Sequence, residues 1–138
     1  FKVYACDCGL LRRLARLPAT VITDPVANYT EFKGALAENA VLQTLMPMTD
    51  DMIPNYWTSE ATAEVEFVLQ WNENIIPVEV KAEDNINGSS LSVYNKKYNP
   101  KYRIRFSMMN LQYNQGLLSS PAPLAGWFDR MMAWLERL

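Results

Sequence analysis

The chain has 138 residues, of which 49% are hydrophobic and 12% aromatic, and this composition excludes an intrinsically disordered segment. No apolar run is long enough to span a membrane, and the formal net charge of −2 argues against strong nonspecific binding to nucleic acid. The absence of histidine excludes a His-containing catalytic triad, and two cysteines alone cannot complete a structural zinc site.

The length of the chain predicts a single domain over residues 1–138. Because the chain begins with Phe1 and not with Met, we expect it to be a fragment of a longer polypeptide. No secretory signal is visible, so we expect a cytoplasmic location and reduced thiols at Cys6 and Cys8.

Residues 1–30 are predicted to form a lead-in strand and helix. Lys2–Ala5 has the length of a short strand, and leucines recur on one helical face over residues 8–17, after which Pro18 ends the helix. Residues 20–28 are predicted to be a loop.

Residues 31–107 are predicted to form the core. A helix runs from Glu31 to Met46, and "NYWTS" has the composition of a strand. The segments "AEVEFVLQW" and "IIPVEVKA" alternate between apolar and polar residues on either side of a short turn, which predicts a β-hairpin.

The remaining elements complete a mixed α/β fold with a central mixed sheet flanked by helices. After a loop at residues 85–88, "SSLSVYNKKY" predicts a short helix and "YRIRFSM" a further strand. "SSPAP" is predicted to be a linker, and residues 120–138 carry an amphipathic helix that packs on the domain.

Glu79 and Lys81 lie two residues apart in a predicted strand and therefore share a face. Glu66 lies on the neighbouring strand, and the hairpin register decides whether it meets them. Paired residue numbers that sum to 145 place Glu66 opposite Glu79, and a sum of 147 places it opposite Lys81. A sum of 146 puts the two acids on different faces.

Two carboxylates that converge in this way form an oxygen site suited to Mg²⁺ or Mn²⁺. We expect Glu66 and Glu79 to bind such a metal, which would polarise a phosphoryl oxygen and supply hydroxide. Lys81 would position the water or stabilise the developing charge, and Glu38 would be an outer ligand. The alternative is an ordinary solvated Glu–Lys pair of little energetic value.

The charges are segregated along the chain. No Asp or Glu occurs from residue 85 to residue 128, a segment that contains five basic residues, Lys96, Lys97, Lys101, Arg103 and Arg105. These five are predicted to contact the phosphates of DNA. The alternative is a charge-segregated surface without a ligand.

Several segments resemble those of known families. "YWTSEATAEVEFVLQWNENIIPVEVKA" resembles the acid–strand–turn–E-x-K core of the PD-(D/E)-x-K nuclease superfamily. More closely, the segments "KVYACDCGLL", "FKGALAENAVLQTL", "YWTS", "AEVEFVL" and "IIPVEVKA" resemble a C-terminal domain of unknown function found in bacterial and archaeal AAA-type ATPases. This resemblance covers residues 2–124.

The resemblance implies a restriction-endonuclease-like core whose site is formed by Glu38, Glu66, Glu79 and Lys81. Glu66 stands where the family pattern usually has Asp, so its carboxylate is displaced by one methylene group. The resemblance also implies an N-terminal ATPase domain in the same polypeptide as a partner. The chain has no G-x-x-x-x-G-K-[ST] motif, and we therefore expect no nucleotide site within it.

Three functions remain open at this point. The first is Mg²⁺-dependent phosphodiester hydrolysis. The second is a catalytically inactive interaction or regulatory module, which would bind the ATPase domain, a second copy or another protein through exposed aromatic residues near Tyr94, Tyr98, Trp127 and Trp134. The third is a metal enzyme acting on a small molecule. None of the three involves a membrane.

Overall fold

The computed structural model describes residues 2–18, 20, 30–48, 55–60, 62–82 and 90–138. The described residues form a six-stranded mixed sheet flanked by helices, which confirms the predicted α/β class. None of the helices in these ranges has the length and apolar character needed to cross a membrane.

The described helices and strands follow the predicted order, with additions near the C-terminus. The α-helices are α1 (Cys8–Leu14), α2 (Thr30–Leu45), α3 (Ser90–Tyr98) and α4 (Phe128–Leu135), with 3-10 helices at Met46–Met48 and Ala122–Trp127. The strands are β1 (Asn55–Thr58), β2 (Glu64–Trp71), β3 (Asn74–Val80), β4 (Arg103–Ser107), β5 (Gln112–Asn114) and β6 (Leu117–Pro121).

The strands are arranged in the order β1-β2-β3-β4-β6-β5. The first three are antiparallel neighbours, so the predicted β-hairpin of β2 and β3 is confirmed. Strands β3, β4 and β6 are parallel, and β5 returns antiparallel to β6 at the sheet edge. Helix α3 connects β3 to β4, as parallel neighbours require a crossover connection.

Two sequence predictions are wrong. Lys2–Ala5 is not a strand, because the backbone N–H of Ala5 donates to the side chain of Asn39 and not to a strand. The segment predicted as a linker, residues 119–123, contains the end of β6, where Ser120 is buried, and then the start of a 3-10 helix. Of the loop predicted at residues 20–28, only Thr20 lies within the described residues, and the loop predicted at residues 85–88 lies outside them.

The sheet has a core on each face. In the larger core, which we call the main core, α2 and α4 pack on the face of the sheet that carries Phe67, Val78 and Ile104. The smaller core lies under α3, where Leu91 and Tyr94 contact Val65. The sheet is therefore the middle of three layers.

The β2–β3 hairpin has the register in which paired residue numbers sum to 145, the first of the three alternatives, since Phe67 pairs with Val78. The regular pairing of β2 with β3 begins at Phe67 and does not include Glu66. Between the pairs Asn55–Val68 and Trp57–Val65, β1 advances by two residues and β2 by three, so β2 contains a bulge beside Glu66.

Candidate functional site

The four predicted site residues lie around the end of the sheet where β3 finishes. We call this region the acidic end and define it by Glu38, Glu64, Glu66 and Glu79. Lys81 follows β3 directly and lies among these carboxylates. The charges of Glu38 and Lys81 both act on Glu66, so the fold brings the predicted residues into one neighbourhood.

Glu79 is completely buried and bound to a partner that was not predicted. Its Oε2 accepts a hydrogen bond from Nε of Arg105 at 2.8 Å, and Arg105 is only 6% exposed. The parallel pairing of β3 and β4 sets these two residues side by side. The other oxygen, Oε1, accepts from the backbone N–H of Ser90 at 3.2 Å and lies 3.6 Å from Nζ of Lys81. Both carboxylate oxygens of Glu79 are therefore occupied.

Glu66 is also buried, but its environment differs from that of Glu79. Its Oε2 accepts from the backbone N–H of Val80 at 3.2 Å, next to the bulge that interrupts β2. Burial raises the pKa of Glu66 to about 7, and the charge of Glu38 adds to this rise. The backbone N–H of Val80 and the charge of Lys81 act in the opposite direction without cancelling the effect of burial.

The N-terminal segment supplies a cation and a hydroxyl group to the same region. Nζ of Lys2 lies 3.4 Å from Glu38 Oε2 and forms a second ion pair with Glu64. The Tyr4 hydroxyl lies 3.4 Å from Glu38 Oε2, and burial raises the pKa of Tyr4 to about 12. Burial lowers the pKa of Lys2, but the hydrogen bond to Glu64 and the charge of Glu38 outweigh this, so that it is raised.

Helix α2 holds this N-terminal segment in place with two side chains one turn apart. Asn39 is 1% exposed, and its Oδ1 accepts from the backbone N–H of Ala5 at 2.9 Å. Gln43 accepts from the backbone N–H of Cys8 at 3.0 Å and donates to the carbonyl of Cys6 at 2.8 Å. Both cysteines are free thiols. Lys2 and Tyr4 are therefore placed beside Glu38 by polar contacts and not by a strand.

In this arrangement the carboxylates of Glu66 and Glu79 are turned toward donors of the protein itself. Arg105 and a backbone N–H already bind the oxygens of Glu79, and the carboxylate of Glu66 faces another backbone N–H. Across the ranges that the structure describes, no group of three or more Cys, Asp or Glu side chains is arranged to hold a metal ion. Glu38 and Glu64 pair with Lys2, and Glu79 pairs with Arg105 and Lys81.

The predicted phosphate-contacting residues are divided between the interior and the surface. Arg105 is buried against Glu79, whereas Lys96, Lys97 and Lys101 are exposed. Arg103 is half-buried, and its guanidinium donates to the carbonyl of Gln115. We call the region of Lys96, Lys97, Lys101 and Arg103 the basic end. Because β3 and β4 are parallel, Arg103 at the start of β4 lies at the end of the sheet opposite to Lys81, which follows β3.

A polar cleft of about 630 Å³ lies at the basic end, between the C-terminal turn of α3 and the β5–β6 turn. Its lining includes Asn99, Lys101, Arg103 and Gly116. Nearby, Nζ of Lys97 lies 5.3 Å from the ring centroid of Tyr98, a cation–π distance. The cleft at the basic end is thus open. It is lined by amide and basic side chains, and aromatic rings lie close to the lysines.

Sequence reasoning missed Lys2, Tyr4, Asn39 and the role of Arg105. Arg105 could have been found from the alternation of β4, which places it opposite the apolar face and beside Glu79 if the strands are parallel neighbours. Asn39 is a polar residue on a mostly apolar helix, which signals a buried polar contact. The contacts of Lys2 and Tyr4 have no comparable periodic signal.

These elements define an α/β domain whose central hairpin ends in a cluster of paired charges. Residues 33–125 match a family described as a domain of unknown function, DUF4143. The chain belongs to this family, since the match covers more than half of its length. No curated protein and no solved structure matches the chain.

Proposed function

We propose that this domain is the C-terminal, nuclease-like domain of an AAA-type ATPase polypeptide and acts there as a noncatalytic binding module. Its sheet, with the E-x-K strand next to an acid-bearing hairpin partner, would be a restriction-endonuclease-like core. The observation that carries the proposal is the buried ion pair between Glu79 and Arg105.

Metal-dependent cleavage of a phosphodiester needs carboxylate oxygens that are open to both a cation and the substrate. Both oxygens of Glu79 already accept from donors of the protein, and releasing Arg105 would leave an unpaired charge in the interior. Removing one partner of a buried ion pair typically costs about 3–5 kcal/mol. This cost supports a structural role for Glu79, in which it joins β3, β4 and the first turn of α3.

Calorimetric titration with Mg²⁺ and Mn²⁺ tests the proposal on the wild type, Glu79→Gln and a matched control, Glu73→Gln. Glu73 is an exposed acid in the hairpin turn, away from the acidic end. We expect the same negligible metal uptake by all three proteins and no cleavage of single- or double-stranded DNA. Circular dichroism would confirm that each variant is folded.

Stoichiometric Mn²⁺ binding by the wild type that Glu79→Gln abolishes and Glu73→Gln retains would contradict the proposal. DNA cleavage with the same dependence would establish metal-dependent hydrolysis in its place. Weak uptake that is equal in all three proteins would reflect surface carboxylates and would support the noncatalytic function.

A further inference from the structure

An apolar groove lies along one flank of α4, beside the main core, since Leu118 of that core and Met131, which packs against it, both line the groove. It has a volume of about 380 Å³ and is lined mainly by large apolar side chains, including Leu111, Leu124, Trp127, Met131 and Trp134. Trp127 is 53% exposed and Trp134 is 45% exposed. Tryptophan and arginine are the residue types that most often dominate binding at protein interfaces.

The apolar face of α4 is wider than the part that the main core covers. Phe128, Met132 and Leu135 are buried in the main core. Trp127, Met131 and Trp134 lie on the groove side, spaced four and then three residues apart. A surface helix normally buries its apolar face against the core, and a large exposed apolar patch beside that face is typical of an interaction site. The residues on the groove side of α4 therefore form a surface suited to binding another protein segment.

Arg130 contributes a positive charge to the rim of the α4 groove. Its guanidinium carbon lies 4.5 Å from the ring centroid of Trp127. No ion pair within the part of the chain that the structure describes involves Arg130. A guanidinium stacked on an indole still has N–H donors at its edge, which can bind a carboxylate bidentately.

We propose that the α4 groove binds an amphipathic helix of a protein partner, with an acidic residue of that helix facing Arg130. Trp127, Met131 and Trp134 extend along about two turns of helix, a length over which a partner helix presents apolar anchors at positions i, i+4 and i+7. Complementarity to the unpaired guanidinium selects an acidic partner over a basic one. This inference names the partner class for the binding role proposed above and rests on that role.

A pair of synthetic helical peptides tests the occupant of the α4 groove. Both are roughly 16 residues long, which corresponds to about 24 Å of helix, and carry leucine at i, i+4 and i+7. One has Glu beside the leucines and the other has Lys at the same position. Fluorescence anisotropy of the labelled peptides measures binding to the wild type, Arg130→Glu and Arg137→Glu. Arg137 is an exposed control outside the groove lining.

We expect the wild type to bind the Glu peptide at least about tenfold more tightly than the Lys peptide. Arg130→Glu should reverse this preference, and Arg137→Glu should leave it unchanged. Trp134→Ala should weaken both peptides alike, because it removes an exposed apolar wall without touching the core. Equal losses in Arg130→Glu and Arg137→Glu, or no saturable binding of either peptide, would overturn the inference.

Sedimentation of the wild type and Trp134→Ala tests whether a second copy fills the groove instead. A dimer that Trp134→Ala dissociates would assign the α4 groove to self-association and overturn the helical-partner inference. The two proposals fail separately. Peptide binding together with metal-dependent cleavage would contradict only the noncatalytic function, whereas absent peptide binding without metal uptake would contradict only the groove assignment.

Discussion

The acidic end and the basic end handle their charges in opposite ways. At the acidic end Glu79 is completely buried and paired with Arg105, and Glu38 and Glu64 share Lys2. At the basic end, Lys97 lies over an aromatic ring and Lys101 beside an open cleft. A charge that is buried and paired controls stability, whereas an exposed one is available to a ligand.

The largest expected change in stability comes from removing one cation at each end and comparing the two variants. Arg105→Met should lower the free energy of unfolding by about 3–5 kcal/mol, because it removes the only buried cation beside the carboxylate of Glu79 among the described residues and leaves the partly exposed Lys81 at 3.6 Å. Lys101→Met should leave the urea midpoint unchanged, since this side chain is exposed.

The double variant Glu79→Leu/Arg105→Met would distinguish pairing from packing in the same urea experiment. It should recover most of the lost stability, because neither charge remains to be buried alone. If Arg105→Met costs no more than Lys101→Met, the contrast between the two ends is refuted.

The next effect uses the raised pKa of Glu66. Its folded-state pKa of about 7 lies above the ordinary value of 4.5, so the folded state binds the proton more tightly. Its contribution to stability is complete below pH 4.5 and disappears as the pH rises through 7. Glu66→Gln should therefore be more stable than the wild type at pH 8, by roughly 3 kcal/mol, and similar to it at pH 4.5.

Thermal or urea unfolding of both proteins between pH 4.5 and 8 measures this difference. Glu73→Gln in the exposed hairpin turn is the control and should follow the wild type at every pH. Parallel stability curves for the wild type and Glu66→Gln would show that Glu66 does not titrate abnormally.

A pair of glycines beside the two ends gives an effect of intermediate size. A Cβ atom at Gly116 would lie 2.9 Å from the carbonyl oxygen of Lys101, and the residue has a φ of +79°. Gly116→Ala should therefore destabilise the fold by about 1–3 kcal/mol. A Cβ at Gly34, within α2, meets no atom of the described residues within 4 Å, so Gly34→Ala should stabilise it by about 0.5–1 kcal/mol.

Urea unfolding of the two alanine variants would show opposite signs. A destabilised Gly34→Ala would mean that the space beside α2 is required. A neutral Gly116→Ala would mean that the β5–β6 turn adapts and does not fix the shape of the cleft.

The smallest effect on stability, and the largest on binding, concerns the lysines of the basic end. We expect Lys96→Ala/Lys97→Ala to leave the unfolding midpoint unchanged. If all four residues of the basic end contact DNA phosphates, log affinity should fall against log salt with a slope of about −3.6, and the double variant should reduce this by about 1.8. Arg13→Ala, an exposed control on α1, should change neither value. Binding that is absent or independent of salt would remove DNA as a ligand.

Local patterns predicted much of the fold. Alternation of apolar residues gave the β2–β3 hairpin, and it placed Tyr102, Ile104 and Phe106 on the buried face of β4. The β5–β6 hairpin was missed because β5 has only three residues, all of them exposed, and therefore shows no apolar alternation. Gln115 and Gly116 both have positive φ, as a tight hairpin turn requires, and "NQG" was its sequence signal.

The candidate site was only partly predictable. The E-x-K pattern located Glu79 and Lys81 on one face, but the partner of Glu79 lies 26 residues away on a parallel strand. Parallel pairing depends on the strand order, which local periodicity does not encode. The bulge beside Glu66 likewise arises from the pairing of β1 with β2, and it redirects the carboxylate to the N–H of Val80.

Helix α4 has a consequence for how the domain can be divided. The family match ends at residue 125, whereas Phe128, Met132 and Leu135 fill the main core, and the Tyr102 hydroxyl donates to the carbonyl of Leu135 at 3.2 Å. A chain cut at residue 125 would expose the inner face of β4 and lose the helix that covers it. The smallest unit able to fold therefore extends beyond residue 125, where the family match ends. During synthesis, the main core can form only after α4 has left the ribosome.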